Sequence, residues 1–160
     1  MLKAILTLCL GFLLLSVCSG QERVIFKANT EFPVQLETVV STEKNNVGDD
    51  VNFVLTEDVN GDGDKILKGS NLYGRIVSIE KATSKDNTAK VCIMFDFVKK
   101  GEDFLSLVAA IISIEPNPEA IKLTASKIFS GGTILSLKEK EIQLDKGRIF
   151  RLKLTSDIAK

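Results

Sequence analysis

The sequence predicts an all-β domain with a minor helical part: a small β-barrel or β-sandwich of about seven to nine strands, with one short helix in the C-terminal third. Apolar residues alternate with polar ones in several short runs, turn-forming residues gather between those runs, and only one segment repeats near a helical period. Alternation places successive side chains on opposite faces of an extended chain, so each such run buries one face and wets the other.

Residues 1–20 stand apart from the domain. Lys3 provides a short positive start, Ala4 to Leu15 is apolar, and Ser16-Val17-Cys18-Ser19-Gly20 is a small-residue exit, which is the layout of a secretory signal. The apolar stretch is shorter than the roughly 20 residues that cross a bilayer, and polar Gln21-Glu22-Arg23 follows at once. Cleavage after Gly20 leaves one domain over 21–160. A competing route treats Leu15-Ser16-Val17-Cys18 as a loose lipobox, with bulky Val17 where a small residue is usual, and makes Cys18 the lipidated end of a lipoprotein. Both routes imply an exported bacterial protein of the periplasm or cell envelope, with a membrane contact only through Cys18.

The strands follow in order. Phe32, Val34 and Leu36 share a face opposite Pro33, Gln35 and Glu37, and Val51, Phe53 and Leu55 repeat the pattern after the turn Asn45-Asn46-Val47-Gly48-Asp49. From Leu72 to Lys81 the apolar phase shifts from Leu72 and Ile76 to Val77 and Ile79, which a β-bulge at Gly74 would explain. Val91, Ile93, Phe95 and Phe97 define another inward face, and Phe150, Leu152 and Leu154 a last one. Phe104 to Ile114 is apolar on both faces, as a central strand covered on both sides or a strand presenting one face to a partner would be. Asn117-Pro118 has the form of a helix start, and Ile121, Ala125 and Ile128 recur near helical spacing up to Ser130-Gly131-Gly132, which predicts a helix of about three turns over 118–129.

Composition narrows the chemistry. The chain has no histidine, which removes the usual general base, the usual zinc ligand and every imidazole-dependent triad. Ser70 near Lys68 and Ser126 beside Lys127 are serine–lysine neighbours, and such adjacency is common by chance; no catalytic residue is expected. Acidic and basic residues are equal in number and form no long run, so nothing attracts nucleic acid or an anionic membrane. Beyond residues 1–20 only Cys92 remains, in the strand-like run Ala89 to Phe95, where a buried structural thiol is expected. One tyrosine and no tryptophan leave little for a sugar-stacking platform.

One stretch has cation-ligand character. Asp58-Val59-Asn60-Gly61-Asp62-Gly63-Asp64 sets oxygen-bearing side chains at alternate positions, like the first half of an EF-hand loop, so calcium held by Asp58, Asn60, Asp62 and Asp64 is one reading. The position where a bidentate glutamate should close the cage is Gly69, and no helix signal flanks the stretch. A polar hairpin loop is the other reading, since Asn-Gly and Asp-Gly favour hairpin turns.

Three segments carry a resemblance. The string Lys27-Ala28-Asn29-Thr30-Glu31-Phe32-Pro33-Val34-Gln35-Leu36, the turn Val47-Gly48-Asp49-Asp50-Val51, and Ile66-Leu67-Lys68-Gly69-Ser70-Asn71-Leu72-Tyr73-Gly74-Arg75-Ile76 together resemble the β-barrel domain of scaffold proteins in conjugative and type IV secretion systems. They are equally similar to exported bacterial proteins of unknown role that share the pattern of an opening strand, a Gly-Asp turn and a Lys-Gly-Ser segment. The resemblance runs over about 27–112, with a possible last strand at Lys146 to Leu152; Leu67 stands where the pattern usually has proline and Asn29 where it has glycine. It implies a barrel, an ordinary hairpin over Asp58–Asp64, and envelope proteins as partners. The long stalk and membrane anchor of a channel scaffold are not expected. The reading as a whole is a non-enzymatic structural or protein-interaction module, with a small calcium-binding module as the alternative.

Overall fold

Most of the apolar faces predicted for the strands converge on one interior, in a computed structural model that describes residues 23–159. The expected signal segment 1–20, with Cys18, lies outside the described residues. The strands are β1 (Val24–Phe26), β2 (Glu31–Leu36), β3 (Val40–Ser41), β4 (Asp50–Leu55), β5 (Val59–Asn60), β6 (Lys65–Ile66), β7 (Asn71–Glu80), β8 (Thr88–Lys100), β9 (Asp103–Ser106), β10 (Ala109–Glu115), β11 (Lys122–Ala125), β12 (Thr133–Lys138), β13 (Gln143–Leu144), β14 (Ile149–Leu154) and β15 (Ile158–Ala159). The main sheet runs β10-β14-β2-β4-β7-β8-β12-β11, with β9 also on β8, and every pairing is antiparallel.

This sheet curls into a nearly closed barrel. The far edge of β8 is divided, Thr88–Ile93 pairing with β12 and Phe97–Lys100 with β9. From β9 the chain passes through Leu107 and Val108 into β10, which pairs with β14 at the opposite end of the sheet. The Leu107 N–H donates to the Asp96 carbonyl at 3.3 Å, and the Thr155 N–H to the Val108 carbonyl at 2.8 Å, so this crossing is tied to both sides. Elsewhere along the seam the Ile111 N–H donates to Thr133 Oγ1 at 2.8 Å, a side-chain bond in place of a ladder. Phe104 to Ile114 is therefore not one strand, as either sequence reading had it. It is two strands that change partner: Leu105, Leu107, Ala109, Ile111 and Ile114 are buried, while Phe104 and Ile112 on the other aspect are exposed.

The interior is filled by side chains. Phe53 packs against Phe95 at 5.3 Å and against Phe150 at 5.4 Å between ring centres, with Val34, Leu36, Leu72, Ile93, Leu135 and Leu152 fully buried around them. Each such side chain contributes roughly 1.5–3 kcal/mol by leaving water. Phe26, Val59, Ile66 and Ile158 of the small pairs β1–β15 and β5–β6 close one end over Phe32, Leu55, Val98 and Leu154, leaving a void of only about 10 Å3. The pair β3–β13 lies at the other end with Val40 and Leu144 buried, and the buried Thr42 donates its hydroxyl to Glu141 there.

The helix predicted over 118–129 is not formed, and no helix occurs among the described residues. Asn117-Pro118 opens a turn, closed by the Ala120 N–H on the Asn117 carbonyl at 3.1 Å. The Asn117 amide then donates to the Ile121 carbonyl and its Oδ1 accepts the Ile121 N–H, which diverts the groups a helix would use. Ala120 has φ 55, outside the helical region, and Lys122–Ala125 finds a ladder on β12. After β11, Ser126 Oγ accepts the N–H groups of Ile128 and Phe129 and caps a single turn.

The bulge expected at Gly74 is present in a different form. The register shifts beside Gly74, but the extra residue is Asp96 on β8; a second shift gives β7 its own extra residue, Val77, and that one moves the apolar phase. Gly74 is needed because a Cβ there would lie 2.6 Å from the Met94 carbonyl oxygen.

Candidate interaction surface

The extra residue Asp96 reverses the facing of everything after it on β8. Phe95 points inward, yet Val98, three positions later, is also buried. Phe97 accordingly turns outward, against the expectation that it continues the inward set, and sits across from Tyr73. The Tyr73 and Phe97 rings lie 4.9 Å apart, and Phe97 meets Phe104 edge-on at 5.1 Å and 87°. Such pairs contribute about 0.5–1.5 kcal/mol each beyond the area they cover. Tyr73 and Phe97 are half-buried, while Phe104 at the end of the row is 59% exposed.

The result is a ledge of three aromatic rings on the outer face of β7, β8 and β9. Its neighbours across the strands are Asn52, Lys99 and Ser106, and an Arg75–Asp96 ion pair at 3.2 Å flanks it. An apolar centre with a polar rim is the arrangement protein-binding surfaces use. The sequence held one sign of it: carrying period two from Phe95 through Phe97 puts Lys99 inside the barrel, so a phase shift was required.

The stretch read as a calcium loop forms a hairpin instead of a gathered cage. Val59 pairs with Ile66 and Asn60 with Lys65, and the turn docks on β1 through the Asp62 N–H and the Ile25 carbonyl at 2.8 Å. Gly61 fits this docking, since a Cβ would press on the Ile25 carbonyl oxygen and lie 2.8 Å from the Phe26 ring. The carboxylates separate onto different cations: Asp58 onto Lys65 at 2.6 Å, Asp62 beside Arg23 at 3.9 Å, and Asp64 onto Lys100. Asp58 also accepts the Lys68 N–H, and its pKa is lowered, first by the hydrogen bond from Lys65. Asn60 lies on the exposed side of the hairpin. Among the described residues no group of three or more acidic or cysteine side chains is placed to hold a metal ion.

Ser126 and Cys92 are structural in their surroundings. Ser126 caps the turn after β11. Cys92 lies under that turn, 1% exposed, and burial raises its thiol pKa, with a smaller opposing hydrogen bond from Ser126. A neutral, covered thiol is a poor nucleophile. No helix of the described residues is long and apolar enough to cross a membrane. No protein-family model matches the chain, and no curated protein matches it in sequence.

Proposed function

We propose that this domain is a non-enzymatic interaction module of the bacterial cell envelope, exported through residues 1–20, whose Tyr73–Phe97–Phe104 ledge seats a partner envelope protein. One observation carries the reading: Phe104 leaves 59% of its surface in water while its ring is fixed edge-on against Phe97. A large aromatic group held in place at the surface offers contact area without the entropic cost of ordering it on binding. The filled interior also supports a role for the outer surface. The resemblance to the barrel of secretion-system scaffolds agrees at the level of fold, which does not by itself assign a role.

Crosslinking of the tagged full-length protein in its native envelope, followed by affinity capture, tests the reading. A reproducible partner is expected with the native chain and its loss with Phe104→Ser, which circular dichroism should show to be folded. Recovery of the protein alone, or capture undiminished by Phe104→Ser, would remove the ledge from consideration.

A further inference from the structure

A concave surface of about 300 Å3 lies outside the barrel, between the Asn117–Ile121 turn and strands β11, β12 and β8; its wall includes Thr88, Glu119, Lys122, Ser136 and Lys138. Register explains the grouping. Lys138 pairs with Thr88, and Ser136 pairs with Lys122 on one side and Lys90 on the other. Ser136 and Lys138 are two apart on β12, so all these side chains share the outward face, and Lys122 and Lys138 are diagonal neighbours.

Four of these groups have no hydrogen-bond or ion-pair partner among the described residues. Lys90 is held by Glu80 at 2.7 Å and Asp86 at 3.7 Å, but neither Lys122 nor Lys138 forms an ion pair among the described residues. The Thr88 and Ser136 hydroxyls likewise make no hydrogen bond among them. The acid in the wall, Glu119, is matched by Arg148, whose Nη1 and Nη2 donate to its two carboxylate oxygens at 2.9 and 2.7 Å. Two neighbouring ammonium groups repel each other, and an anion between them reverses the sign of that interaction. Two ammoniums and two hydroxyls on this one face supply several donors to an oxyanion lying against it.

We infer that this cleft binds a phosphate or sulfate group between Lys122 and Lys138, with the Thr88 and Ser136 hydroxyls donating to its oxygens. The group is a free ion or the headgroup of an anionic lipid, and the chemistry of recognition is the same.

Heteronuclear NMR of the whole protein, titrated with inorganic phosphate at constant ionic strength, provides the test. Saturable shifts at Thr88, Lys122, Ser136 and Lys138 are expected. In Lys122→Gln/Lys138→Gln the affinity should fall about tenfold or more, and in Ser136→Ala, which keeps both charges, by a smaller factor. If free phosphate is silent but phosphatidylglycerol vesicles shift the same residues and the double variant abolishes this, the group is a headgroup. Shifts that are linear, reproduced by chloride or unchanged in the double variant would overturn the site, as would silence in both titrations.

Discussion

The backbone N–H of Ile111 donates to the side-chain oxygen of Thr133 at 2.8 Å, and both residues are buried. This bond joins β10 to β12 where no backbone ladder spans the seam, so one hydroxyl takes the place of a carbonyl row.

Thr133→Val keeps the shape and removes the acceptor. An unpaired buried N–H costs about 1–3 kcal/mol, and we expect that loss in urea unfolding, with Thr133→Ser nearer the native value. Equal stability of the valine and native proteins would mean that the seam does not depend on this bond.

Gly61 separates the two meanings of its hairpin. A Cβ at this position meets the Ile25 carbonyl and the Phe26 ring, so Gly61→Ala should destabilise the fold by about 1–3 kcal/mol through overpacking alone, in the presence of a chelator as well as without one. A change seen only when calcium is present would assign the glycine to ligand binding.

Calcium itself gives a second measurement. With Asp58, Asp62 and Asp64 each turned toward a different cation, millimolar calcium should leave the unfolding temperature unchanged. A saturating rise in Tm would show those carboxylates, with Asn60, leaving their partners to form a cage.

Acid stability should register the Glu119–Arg148 pair. Hydrogen bonding from Arg148 holds the Glu119 carboxyl below its ordinary value of 4.5. A carboxylate with a lower pKa in the folded state contributes stability that is complete above the unfolded value and is lost as pH falls through the folded one. Asp49, lowered first by Asn45, and Asp58 act in the same direction. Stability should therefore hold from neutral pH to about pH 5 and decline below it. Glu119→Gln should be less stable at neutral pH, with a shallower decline on acidification; parallel curves would show that the pair contributes nothing to the linkage.

Much of the barrel was legible because period two reports burial directly: Phe32, Val34, Leu36, Val51, Phe53, Leu55, Phe150, Leu152 and Leu154 are all buried as their alternation indicates. The helix was misread because Asn-Pro opens turns and helices alike, and the deciding partner, β12, lies beyond the segment itself. The outward turn of Phe97 depends on an extra residue, which shows in a local pattern only as a conflict at Lys99. The double apolarity of Phe104 to Ile114 was visible, while the change of partner at Leu107 and Val108 requires knowing where β14 lies. Thr88, Lys122, Ser136 and Lys138 form no local motif, since only strand register brings them together.

The pairing of β1 with β15 sets an order on folding. Val24 faces Ala159, and β2 receives its second neighbour only when residues 149–154 arrive. During synthesis the first half of the chain is thus a sheet with two open edges, β2 and β7, and loop closure over nearly the whole domain precedes the final gain in burial. Topologies of this kind fold slowly, so the newly made chain has a long interval in which its apolar faces lie uncovered.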